Sequence, residues 1–165
     1  MEDILDKHKQ DFNEVRRLCL LCHGLDLTSS NLFTGSTYTA PSDQTKSVLH
    51  SMLSSSLLNL AVSIRINLYQ GSIQNIPIPL ATMAANFYED DELITKCVTI
   101  KDVCDKIVHA DSVTKPAFPE GLLDRDVKIP FQLKGMNRKN TWTMNLCLDL
   151  FAETVLTLLD EVDNS

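Results

Sequence analysis

Residues 19 to 23 read Cys-Leu-Leu-Cys-His, the attachment signature of c-type haem, in which two thiols form thioethers and the histidine ligates iron. The surrounding sequence argues for plainer chemistry. Thioether attachment is normally made in an oxidising, exported compartment, and the N-terminal stretch MEDILDKHKQDF is charged and amphipathic with no apolar signal core. At about 100° per residue, Cys19, Cys22 and His23 fall on the same side of a helix as Ile4, Leu5, Phe12 and Val15. The thiols are therefore expected in the core, where free cysteine behaves as a small hydrophobe. A zinc site needs about four ligands, and His8, Cys97 and Cys104 offer no second close pair to complete one. Neither a metal nor another cofactor is expected.

A second stretch, CDKIVHAD at residues 104 to 111, carries different chemistry. On a helix, Ile100, Val103, Cys104 and Ile107 share one side, while Asp102, Asp105 and His109 gather on the other. Asp105 and His109 are i, i+4 neighbours. A carboxylate beside an imidazole near a helix C-terminus favours the protonated ring, which makes His109 a candidate acid, base or anion contact. It equally reads as a surface histidine completing a polar face. Arg65, in AVSIRINLYQG, has Leu58, Ala61, Val62, Leu68 and Tyr69 as helical neighbours, so its guanidinium needs a partner. Snorkelling, a structural acid such as Asp149, or a shared polar site with Asp105 and His109 would each satisfy it.

The stretch Cys104-Asp105-Lys106-Ile107-Val108-His109, preceded by a long central helix, resembles the HEPN superfamily of small helical bacterial proteins. Metal-independent ribonucleases of that family carry Arg, then Asn, Asp or His, then three residues, then His. Asp105 and His109 match the second and last positions, and Cys104 stands where the arginine would be. The resemblance implies RNA phosphodiester cleavage with His109 as acid or base, Lys106 or Arg65 supplying positive charge, and Asp105 completing the site. It also implies a homodimer with this helix near its interface, and a role in defence, toxin–antitoxin pairs or RNA processing.

A smaller feature lies in KGMNRKNTW, where Lys134, Arg138 and Lys139 sit near Trp142, a mixture of charge and aromatic surface able to hold single-stranded RNA. A solvated turn, with Trp142 anchoring it to the helices, reads the same residues. The formal net charge of −7 disfavours broad electrostatic capture of nucleic acid. Acidity suits a basic partner instead, so the alternative is a non-catalytic binding protein: an immunity protein, an antitoxin or a regulatory subunit.

The elements that position these groups follow from periodicity and breakers. The chain of 165 residues, 44% hydrophobic and 22% charged, is expected to form one domain over residues 1–165. Glu2 to His23 reads as a first helix stopped by Gly24, followed by a long connection to Pro41. Ser42 caps a central helix, Asp43 to Gln70, that ends at Gly71. The prolines of IQNIPIPL make a linker, ATMAANFYEDDELI a short helix, and Thr99 opens a third main helix through His109. Val127 to Lys134 and Asn140 to Met144 alternate as two strands, the first at an edge because of Pro130. A last helix runs from about Asn145 to Val162. The expected fold is mostly α, a bundle of about four main helices with a small antiparallel β-hairpin before the last. No run of about 18 apolar residues stands out to cross a bilayer, and five cysteines look like reduced thiols, so a cytoplasmic protein is expected.

Overall fold

The computed structural model describes residues 11–34, 41–78, 85–94, 98–115 and 129–165. These form four helices and five strands: α1 (Phe12–Thr34), α2 (Asp43–Tyr69), β1 (Ala85–Glu89), β2 (Glu92–Leu93), α3 (Ile100–Val108), β3 (Ser112–Thr114), β4 (Phe131–Asn137), β5 (Asn140–Leu146) and α4 (Leu148–Asp163). The four main helices are present, but the hairpin is the middle of a five-stranded antiparallel sheet ordered β2-β1-β5-β4-β3.

Helix α1 does not stop at Gly24. A Cβ there would meet nothing, so the glycine faces outward and weakens the helix only by the usual cost of about 1 kcal/mol. The buried stripe of Val15, Leu18, Cys19 and Cys22 continues into Leu25, Asp26 and Ser29, and that packing carries the helix onward. The proposed start at Glu2 lies outside the described residues.

Helix α2 matches its expected bounds. The Ser42 side chain accepts a hydrogen bond from the Thr45 backbone N–H, and Gly71 follows the helix with φ of 73°, a conformation open to glycine. Leu49, Leu53, Leu57, Leu60 and Ile64 form its buried face, each contributing about 1.5–3 kcal/mol of apolar burial. By length and composition α2 is also apolar enough to cross a membrane, in contrast to the expectation above, because serines rather than charges punctuate it. Of its most apolar 18-residue window, 44% is buried against the rest of the chain.

Between α2 and α3, Ile73 and Ile78 tuck into the core, and Pro77 pairs with Thr99. The stretch expected as a short helix is instead the β1–β2 hairpin, its residues 81–84 lying outside the described ones. Asp90 and Asp91 turn it with φ of 46° and 65°, and Asp90 fastens the turn to β5 by accepting from Thr141 N at 3.0 Å and donating its own N–H to Thr141 O at 3.0 Å. Aspartate tolerates this left-handed geometry better than most residues.

β4 is an interior strand rather than an edge. It pairs with β5 from Phe131 to Asn137 and with β3 from Gln132 to Lys134. Pro130 precedes the strand, so no ladder donor is lost. Alternation puts Phe131, Leu133 and Gly135 of β4 and Trp142, Met144 and Leu146 of β5 on one buried face. The core joins that face to α1–α4, with Phe151, Leu148 and Leu159 of α4 fully buried.

Candidate functional site

Helix α3 is held rigidly at its start. Thr99 Oγ1 accepts from Asp102 N at 3.2 Å while Asp102 Oδ2 accepts from Thr99 N at 2.9 Å, a complete capping box. Ile100, Val103, Cys104 and Ile107 face the core. The polar residues then leave the helix in three directions.

Asp105 turns toward α2. Its Oδ1 lies 2.9 Å from Arg65 Nε and its Oδ2 lies 3.1 Å from Lys101 Nζ. The Oδ1 atom is buried and accepts no aligned hydrogen bond, so Arg65 holds it as an ion pair at close range rather than through a directed N–H. Lys106 turns toward the sheet, its Nζ 4.5 Å from the Phe87 ring centroid and 4.3 Å from that of Trp142. Each distance is in the range of a cation–π contact. His109 caps the C-terminal end, donating its backbone N–H to Asp105 O at 3.0 Å, and is exposed. Among the described residues its ring makes no hydrogen bond or ion pair.

The structure thus brings Arg65 to Asp105, as one reading of the sequence required, while Lys106 lies over the Phe87 and Trp142 rings and His109 is exposed at the helix end. Cys104 is 0% exposed, so the position matching the family's arginine faces the core. A guanidinium there would be buried without a partner.

The basic hairpin divides in the same way. Lys134 is exposed, and Arg138, with φ of 57°, and Lys139 form the exposed β4–β5 turn. Trp142 is only 3% exposed and lies on the opposite, inner face, wedged between Lys106 and Gly135. Its indole is a packing element and offers no face for a base to stack on. The Asp90–Thr141 bonds also set the acidic turn Glu89–Glu92 at the same end of the sheet as Arg138 and Lys139. Alternation had suggested the hairpin but held no sign of the acidic turn beside it.

The thiols of the CLLCH stretch are buried in α1, and His23 turns to α4, with Nε2 3.3 Å from Glu153 Oε1. Burial pushes Cys19 and Cys22 up to about 12, and burial pushes Cys104 higher still. Among the described residues, no three His, Cys, Asp or Glu side chains are placed to hold a metal ion. These thiols are expected to stay unlabelled by Ellman's reagent in the native protein and to react on unfolding. Because the folded thiols hold their protons above the unfolded value near 9, their contribution is complete below pH 9 and is lost between pH 9 and 12. Urea titrations should show stability falling by about 1.4 kcal/mol per pH unit for each such thiol.

Two ionic clusters escaped the sequence reading. Lys115 Nζ lies 2.8 Å from Ser29 Oγ, pairs with the Asp26 carboxylate, and stands over the Phe131 ring at 4.9 Å. Asp26 shares the helical face of Cys22 and Ser29, a usable signal hidden by the early stop at Gly24. Arg16 bridges Asp160 and Asp163 across α1 and α4, and these acids hold its pKa above the ordinary value. It lines an open cleft of about 390 Å³ with Asn67 and Ser72, in which its charge is already neutralised.

No family model, curated protein or solved structure matches this chain. Its function has to be read from its own surface.

Proposed function

We propose that this chain is a non-catalytic binding protein that works through the outward face of α2. The observation that carries the reading is the exposure of large apolar residues along that helix: Val48 at 59%, Met52 at 45%, Leu58 at 45%, Val62 at 41% and Tyr69 at 94%. They recur at helical spacing on the side away from Leu53, Leu57 and Leu60. From Lys46 to Arg65 no Asp, Glu, Lys or Arg interrupts the face. An uncharged helix face that sets exposed large apolar residues between serines and Asn59 supports an interaction surface. The chain's acidity adds a further preference for partners that carry basic groups around an apolar centre.

A second reading, a HEPN-like ribonuclease in bacterial defence, draws on the Arg65–Asp105 contact one turn from His109. Against it stand the engagement of Asp105 by two cations and the inward position of Cys104. Incubating the purified protein and its His109→Ala variant with a single-stranded RNA pool separates the two. The binding reading expects no cleavage above blank by either protein. Cleavage by the wild type that disappears in a folded His109→Ala variant installs the ribonuclease. A photo-reactive residue at position 62 tests the face itself: an adduct there, absent with the label at exposed Asp111, is expected.

A further inference from the structure

A second site lies away from the outward face of α2, where the start of α1 and the ends of α2 and α4 come together. The wall of the cleft between them, about 390 Å³ in volume, includes Asp11, Phe12, Arg16, Asn67, Ser72 and Asp163. That volume falls at the small end of the range for sites that hold small molecules. We propose that this cleft binds a small aliphatic amine as its ammonium ion, with Asn67 Oδ1 as the fixed acceptor and Asp11 and Asp163 supplying the charge.

Asn67 is the residue that points to a ligand. It is 1% exposed and sits in the last turn of α2. Its Nδ2 donates to Ser63 O at 2.9 Å, which fixes which end of the amide is nitrogen, and among the described residues its Oδ1 accepts no hydrogen bond. Buried amide oxygens are almost always paired. Because Asn67 forms part of the cleft wall and this oxygen is not enclosed by protein, it opens to the cleft and is satisfied by a donor there.

Charge makes that donor a cation. Asp11, Asp160 and Asp163 stand around one guanidinium, that of Arg16, whose Nη2 is held by Asp160 and Asp163 and whose Nη1 donates to Asn13 Oδ1 at 3.3 Å. One cation against three carboxylates leaves an excess of two negative charges. Neither α2 nor α4 holds a basic residue in its last turn, so two negative helix ends meet the single positive end of α1. Phe12, half-buried in the wall, offers its ring to an ammonium or to the alkyl chain behind it. Among the described residues no three His, Cys, Asp or Glu side chains are placed to hold a metal ion, so an organic cation suits this wall better than a bare divalent one. A short alkyl diamine carries the two charges that balance the excess.

Isothermal titration calorimetry of the full chain with 1,4-diaminobutane at low ionic strength tests this, read together with the side-chain amide resonance of Asn67. One saturable site is expected, with that resonance shifting along the same curve. Asn67→Leu keeps every charge and nearly the same side-chain size, and should weaken binding by about tenfold or more, the effect of losing a hydrogen bond to a charged group. Asp11→Asn, which retains the oxygen that accepts from Asn13 N, should weaken it about two- to fivefold. Asp111→Asn, which removes an exposed carboxylate beside β3, should leave it unchanged. No saturable heat, or an Asn67 resonance that stays in place, overturns the inference. Equal weakening by Asp111→Asn also overturns it, because that marks diffuse attraction to an acidic chain, as does displacement of the diamine by magnesium at constant ionic strength. If Asn67→Leu fails to fold by circular dichroism, the contrast between Asp11→Asn and Asp111→Asn still decides. Either result leaves the reading of α2 standing, since position 62 is not part of the cleft.

Discussion

Replacing Trp142 by alanine lowers the unfolding free energy by about 3–5 kcal/mol, the range for removing a large aromatic from a packed interior. The indole is 3% exposed, its centroid is 6.4 Å from that of Phe87, and Lys106 Nζ stands 4.3 Å above it. It also lies across Gly135, its cross-strand partner: a Cβ at that glycine would fall 2.6 Å from Cε2 and 2.9 Å from Nε1. Gly135→Ala is therefore expected to destabilise by about 1–3 kcal/mol through overpacking. Lys134→Ala, on the exposed side of β4, should stay within about 0.5 kcal/mol of the wild type. Urea denaturation of the three variants is the check. A Trp142→Ala protein as stable as the wild type would instead mean that the ring is free to serve a ligand.

Lys115→Ala should cost about 3 kcal/mol, because it removes a close cation from the Asp26 carboxylate, which is 11% exposed at the side chain. Lys115 lies just beyond β3, and Asp26 lies in the middle of α1, so the pair ties the sheet edge to the first helix across 89 residues of sequence. Ser29 Oγ, 2.8 Å from Lys115 Nζ, and the Phe131 ring also face the ammonium. Removing both charges as Asp26→Leu with Lys115→Met should recover most of the loss, since an apolar pair of similar volume often equals a buried ion pair. A full double-mutant cycle in urea measures the coupling. Additive single losses would show that each residue stabilises through packing alone.

These two sites show where sequence reasoning stopped. The N-cap at Ser42, the opening of α3 at Thr99 and the buried stripe of α1 were legible because each depends on residues within one or two turns. The β1–β2 hairpin was not. Its acidic run reads as a helix end, and only pairing with β5, held by Asp90 and Thr141, makes it strand. Gly24 misled for the same reason: a glycine ends a helix unless tertiary packing on either side carries it through.

By itself the sequence determined the helical character, the central helix α2 with both ends, the inward thiols and the amphipathic α3, because helix period and capping are local properties. Tertiary structure alone decided that Asp105 engages Arg65, that Lys106 lies between Phe87 and Trp142, and that His109 faces solvent. Periodicity states which side of a helix a residue occupies, but not which neighbour waits there. Asp105 and Lys106 sit about 100° apart on α3 and so meet α2 and the sheet respectively, while His109, which shares the side of Asp105 by period, is the cap beyond the last helical residue and is exposed.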